Sequence, residues 1–174
     1  MLGEGLRREY GRLSWDPPLS AVRGADPAAL RTPDGLAVRI QLLDPEDHPP
    51  WPTERRALIQ RYSDAPPATL VVPTLPAFAA SKTAAWHDRH LPRDLYDLWG
   101  LSRLGALDAV AAELFAQHGP TGHAPRSWMF RDPPTARDWT TQLAAQTRVA
   151  FGPDEALTAV REAWSMVSGG SDAV

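Results

Sequence analysis

The alternation of apolar and polar positions changes period near the middle of the chain. From Arg12 to Asp16 the pattern is short and alternating and is closed by Pro17-Pro18, which predicts a brief edge strand. Thr32-Pro33-Asp34-Gly35 is a turn signal, and after it Leu36, Val38, Ile40 and Leu42 fall on one face with Arg39 and Gln41 on the other, which predicts a half-buried strand. The prolines of Asp44 to Pro52 remove donors and fix φ, so this stretch is expected as a loop leading into a helix near Thr53 to Tyr62, with Thr53 as its N-cap. Thr69 to Val72 reads as a second strand ended by Pro73. Thr74 then caps a helix running to about His90.

Beyond that point the period is about 3.6 residues, and helices are expected at 92–104, 107–118, 134–149 and 153–167. Pro92, Pro134 and Pro153 stand near the starts, where a missing N–H costs nothing, and Gly105, Gly119 and Gly152 stand near the ends. The expected organisation is a sheet region over 1–73, a helical region over 74–168 and a flexible tail over 169–174.

Composition narrows the chemistry. The 174 residues, 43% hydrophobic and 22% charged, suit one domain with a real core. Zero cysteines exclude disulfides, thiolate metal sites and cysteine nucleophiles, and fit a reducing cytosol. The first twenty residues carry Glu4, Arg7, Arg8, Glu9 and Arg12, which excludes a signal peptide there, and Asp108 and Glu113 interrupt the most apolar stretch, which excludes a membrane span. A net charge of −3 means that a polyanion must be met by a local basic patch. Of the eighteen cationic residues seventeen are arginine, and Lys82 is the single lysine.

That lysine lies in the densest cluster of chemistry-bearing residues, Ser81 to Leu98. On a helix Lys82, Trp86 and Arg89 fall at i, i+4 and i+7, one face with an ammonium, an indole and a guanidinium, able to hold an anion. Pro92 opens the next helix, whose first turns carry Arg93, Asp94 and Asp97. Lysine suits triphosphate oxygens as a point charge, and arginine forks onto phosphate. The same residues admit a purely structural reading: acids favour a helix's first turn, and Arg89 or Arg93 can pair with Asp94 or Asp97.

The string resembles the last motifs of the AbiEii/AbiGii-type nucleotidyltransferase toxins. Lys82 and Ala85 fill an A-x-K-x-x-A element, Arg89 follows seven residues after the lysine, and Arg93, Asp94, Leu95, Asp97 and Leu98 fill R-D-[LY]-x-D-L, with Tyr96 in the variable slot. The strand before the motif, the Trp51-Pro52 loop and the helical tail extend the likeness to about two thirds of the chain. The resemblance implies an α+β architecture, a reduced nucleotidyltransferase-like mixed sheet followed by a helical C-terminal half. It implies that Lys82, which contacts the nucleotide, is catalytic together with Asp94 and its companion Asp97, and that Arg89 and Arg93 support the phosphates. In the intact relative the reaction is transfer of NMP from an NTP, GTP or CTP, with Mg²⁺, to RNA, such as a tRNA end, or to a protein hydroxyl. An AbiEi-like antitoxin partner and a cytoplasmic location follow by the same resemblance.

One departure bears on catalysis. Such enzymes resemble other minimal nucleotidyltransferases in using a Gly-Ser element and an Asp-x-Asp strand to seat Mg²⁺. Gly3-Glu4-Gly5 lacks the hydroxyl residue, Asp44-Pro45-Glu46 has no Gly-Ser before it, and the polar face of the 36–43 strand offers Arg39 and Gln41 where a third carboxylate is expected. The expectation is therefore an N-terminally shortened member, incomplete for catalysis, with an unpaired sheet edge that favours association. The alternative is a noncatalytic partner-binding domain of a toxin–antitoxin system.

Other readings are weaker. His87-Asp88 with His90 and Asp94 imitates a metal-dependent phosphohydrolase, but its upstream histidine, His48, lies in the proline-rich loop. No Gly-x-Ser-x-Gly elbow occurs. Arg55, Arg56 and Arg61, with Glu54 beside them, read as a solvated face. Among seven tryptophans, Trp128, Trp139 and Trp164 have apolar neighbours and are expected in the core.

Overall fold

The computed structural model describes residue 7 and residues 9–23, 26–41, 48–61, 66–145 and 147–168. The described residues form strands β1 (Ser14–Asp16), β2 (Pro27–Arg31), β3 (Ala37–Gln41), β4 (Thr53–Ala57) and β5 (Thr69–Pro73). Helices α1 (Leu75–Arg89), α2 (Pro92–Arg103), α3 (Ala109–His118), α4 (Ala136–Leu143) and α5 (Pro153–Ser168) follow. The architecture is α+β, as expected. In place of one mixed sheet, however, the strands form two small antiparallel sheets, β1-β2-β3 and β4-β5.

The chain divides into two compact units, Met1–Pro49 and Pro50–Val174. In the first, β2 is the central strand. Its register sets Leu30 opposite both Trp15 and Val38, and Ala28 opposite Ile40, so these residues share one face of the sheet. Ala28 and Leu30 are buried there. The Thr32–Gly35 turn joins β2 to β3: the Gly35 amide donates to the Thr32 carbonyl, and Gly35 takes φ +93°, a value glycine adopts without steric cost. The Thr32 hydroxyl donates to the Asp34 carboxylate and, with the backbone amide of Asp34 itself, holds that carboxyl below its ordinary range. Leu36 and Val38 are about half exposed, so β3 is less covered than its alternation suggests.

In the second unit the segment beginning at Thr53 is a strand, which corrects the helix expected over 53–62. Thr53 stands opposite Pro73 and Ala57 opposite Thr69, and the Leu58 amide continues the ladder to the Ala68 carbonyl at 2.8 Å. Thr53 to Ala57 carry no apolar stripe at helical spacing to bury, so pairing with β5 satisfies their backbone instead. Arg55 and Arg56 are exposed, and Arg56 pairs with Glu54 at 3.0 Å.

The helices hold the main core. Thr74 caps α1 as expected, its hydroxyl accepting from the Ala77 amide at 3.3 Å. Ala77, Ala79, Ala80, Thr83 and Trp86 line the buried side of α1, and these mostly small residues let α3 approach closely with Ala111, Ala112 and Phe115. The buried Thr83 hydroxyl donates to the Ala79 carbonyl, and the buried Trp86 indole donates to the Met129 carbonyl at 2.9 Å. On α2, Leu95, Leu98 and Leu101 face α1 and α5. Asp108 caps α3, accepting from the Ala111 amide.

α4 ends at Leu143, short of the expected 149. The chain turns back there, which places Phe151 against Trp99, ring centroids 3.9 Å apart, and gives the Trp139 indole the Phe151 carbonyl as acceptor. Between α3 and α4 a 3-10 turn, Ser127–Phe130, buries Met129 and Phe130 but leaves Trp128 44% exposed, so that tryptophan is not core, whereas Trp139 and Trp164 are. Residues 169–174 lie outside the described residues.

Trp86→Phe strips the Met129 carbonyl of its donor and leaves a void, and should cost about 2–3 kcal/mol in urea unfolding. Trp128→Phe should stay within about 0.5 kcal/mol.

Candidate functional site

The corner between α1 and α2 is made by two residues. His90 closes α1 in the left-handed conformation, φ 50°, with its amide bonded to the Trp86 carbonyl at 3.0 Å. Leu91 is extended, as the residue before a proline should be, and Pro92 starts α2. This brings the last turn of α1, with Arg89, beside the first turn of α2, with Asp94. A cation at a helix C-terminus and an anion at a helix N-terminus each complement the local dipole.

Asp94 is fully buried. Arg89 grips it with two parallel hydrogen bonds, Nε to Oδ2 at 2.7 Å and Nη2 to Oδ1 at 2.8 Å. This contact, opposed by partial burial, raises the Arg89 pKa above the usual guanidinium value. Lys82, about two turns earlier on α1, lies between both acids, its Nζ 2.5 Å from Asp97 Oδ2 and 3.7 Å from Asp94 Oδ1. It also stands over the Phe78 ring, 5.5 Å from the centroid. The four side chains form one network of zero formal charge, in which Lys82 and Asp97 keep access to solvent at 22% and 37% exposure.

The structure therefore brings Lys82, Arg89, Asp94 and Asp97 together. It does not bring Arg93, which is exposed and has no ion-pair partner among the described residues. Nor does it offer Trp86 on the expected anion-holding face, because that ring is buried and its N–H is committed to Met129. Both structural pairings expected as the plain reading, Arg89 with an acid and acids in a helix's first turns, are realised at the same place. Phe78 was not singled out in the sequence, although its position four residues before Lys82 sets it one turn away on the same helix face.

The histidine readings are not supported among the described residues. His87 packs edge-on against Trp128 and His90 lies tilted against Trp86. No group of three or more His, Cys, Asp or Glu side chains suited to a metal occurs there.

A model of the family described as nucleotidyl transferase AbiEii toxin, type IV toxin–antitoxin system, matches residues 15–166. The chain belongs to the AbiEii nucleotidyltransferase toxin family. The match spans β1 to α5, and the Lys82 to Leu98 motif lies inside it. Comparisons with curated proteins and with solved structures return no match. Membership of the AbiEii family places the chain in a toxin–antitoxin system and implies a cognate antitoxin. Among the described residues no helix is long and apolar enough to cross a membrane.

The Mg²⁺ implied by the AbiEii family does not fit the α1–α2 corner. Both oxygens of Asp94 and Oδ2 of Asp97 face the cations Arg89 and Lys82, and no third acid joins them among the described residues. Gly3-Glu4-Gly5 and Asp44-Pro45-Glu46 lie outside the described residues.

Asp94→Asn should lower stability by about 2–3 kcal/mol, less than a wholly buried pair would lose because Arg89 is 41% exposed. Arg93→Ala should change chemical-denaturation stability by no more than about 0.5 kcal/mol.

Proposed function

We propose that the α1–α2 corner is the part of this AbiEii-family protein that binds the phosphates of a nucleoside triphosphate, GTP or CTP. The observation that carries the reading is the position of Lys82. A single ammonium, partly open to water, is held at the mouth of a network whose buried member, Asp94, fixes both cations. Lys82 meets a phosphate oxygen as a point charge, and Arg89, presented by Asp94, supplies N–H donors beside it. The buried carboxylate keeps these groups in place before any ligand arrives, so less order is lost on binding.

In this reading Asp94 is a positioning residue. The family resemblance suggests that it orients or deprotonates an acceptor hydroxyl, but both its oxygens are engaged by Arg89 and it has no exposure to solvent. The chemistry assigned is transfer of NMP from the triphosphate to an RNA end or a protein hydroxyl. Arg93, exposed on the outer side of α2, is left to contact the outer part of a ligand or an RNA backbone.

A second reading, a partner-binding protein of the toxin–antitoxin system, is favoured by the β4-β5 ribbon. Among the described residues neither strand pairs with a third, and Leu70 and Val71 are 47% and 64% exposed. A two-stranded ribbon of this kind gains from an added strand or a covering surface.

Isothermal titration separates the two. Wild-type protein should bind GTP or CTP in Mg²⁺ buffer, Lys82→Ala should weaken that binding at least about tenfold, and Arg89→Ala should weaken it several-fold. Unchanged affinity in Lys82→Ala contradicts the nucleotide-binding reading. Absence of nucleotide binding, with loss of a copurifying partner in Val71→Asp, favours the second.

A further inference from the structure

The two acids of the corner are not equivalent. Asp94 is fully buried, bonded twice by Arg89 and approached by Lys82. Asp97 is 37% exposed, and Lys82 is its only ion-pair partner among the described residues. Removing a cation from Asp94 strands a charge away from water, whereas Asp97 can turn from Lys82 and be solvated at little cost. Of the ionic contacts at this corner, the one between Lys82 and Asp97 is therefore the exchangeable one.

We propose that Asp97 is an internal competitor for phosphate: its carboxylate occupies, on Lys82, the place that a phosphate oxygen of the ligand takes, and ligand enters by displacing it. The inference rests on the reading of Lys82 as a phosphate contact. Charge supports it. With all four side chains engaged the corner is formally neutral and offers an incoming anion no net attraction. With Asp97 turned to solvent, Lys82, Arg89 and Asp94 leave one positive charge, which a phosphate group can meet. The Lys82 side chain suits the exchange, since its flexible stem and rotatable donors can follow a new acceptor. The Phe78 ring near it, 37% exposed, remains in contact with the ammonium as the acceptor changes. An acid in this position raises the concentration of polyphosphate needed to fill the corner and disfavours singly charged anions.

The test measures binding of inorganic pyrophosphate and of inorganic triphosphate to the full chain by titration calorimetry. Wild type, Asp97→Asn, Asp97→Ser, Asp97→Glu and Lys82→Ala are compared, with thermal unfolding to confirm that each variant folds. Both neutral variants should bind about five- to tenfold more tightly than wild type, with Asp97→Glu close to wild type. Because Lys82 is the single lysine, reductive ¹³C-methylation gives one side-chain signal. That signal should move on adding pyrophosphate to wild type, and should already be displaced in Asp97→Asn before any ligand is added. Equal or weaker binding by both neutral variants, while Lys82→Ala still weakens wild-type binding, overturns the competitor role and leaves the phosphate reading standing. Absence of binding by wild type and by both neutral variants overturns the two together.

Discussion

A carboxylate taken wholly out of water must be compensated, and in this chain that requirement organises the corner on which the functional reading depends. Asp94 stands at 0% exposure in the first turn of α2, where only a cation with good geometry offsets its desolvation. Arg89 supplies two aligned hydrogen bonds, and Lys82 adds a second positive charge at longer range. To meet this demand α1 must end at His90 and α2 must begin at Pro92. The left-handed His90 and the extended Leu91 make that short connection possible. The core then fixes the angle from behind, with Trp86 anchored to Met129 and Leu95 and Leu98 buried on the next helix.

The same constraint decides what the corner can do. A pair of acids three residues apart is a familiar start for a metal site, but here both oxygens of Asp94 and one of Asp97 face a cation instead. The cations, conversely, are gathered and held, with Lys82 at the solvent edge. The proposed reading, recognition of an anion once Asp97 has moved aside, follows from that placement of Lys82. It is consistent with membership of the AbiEii family through residues 15–166. Within that family likeness, the corner accounts for how the Lys82 to Leu98 string behaves physically, independent of the reaction assigned to it.

Much of this was legible in the residues. The spacing of Lys82, Arg89, Asp94 and Asp97 named the network, and Thr74 and Pro92 marked helix starts that the structure keeps, because caps and first-turn prolines act locally. What could not be read locally went differently. Thr53 to Ala57 has no helical stripe and no clear strand alternation, and its state is fixed by β5, twelve or more residues away. The end of α4 is set by Trp99 and Trp139 drawing Phe151 inward, a tertiary demand that the 3.6-residue pattern through 149 does not reveal. Trp128 directly precedes two core residues, Met129 and Phe130, in a 3-10 turn, where neighbours in sequence do not share a face, so its apolar context misled. The pairing of Lys82 with Asp97 more closely than with Asp94 needed the crossing of two helices to become visible.

The claim at the centre is that Arg89 and Asp94 act as one unit. A double-mutant cycle with Arg89→Gln and Asp94→Asn, read by urea unfolding of the four proteins, measures it directly. The account predicts a coupling of at least about 1.5 kcal/mol, the double variant losing much less than the two single losses combined. Losses that add to within about 0.5 kcal/mol would contradict it.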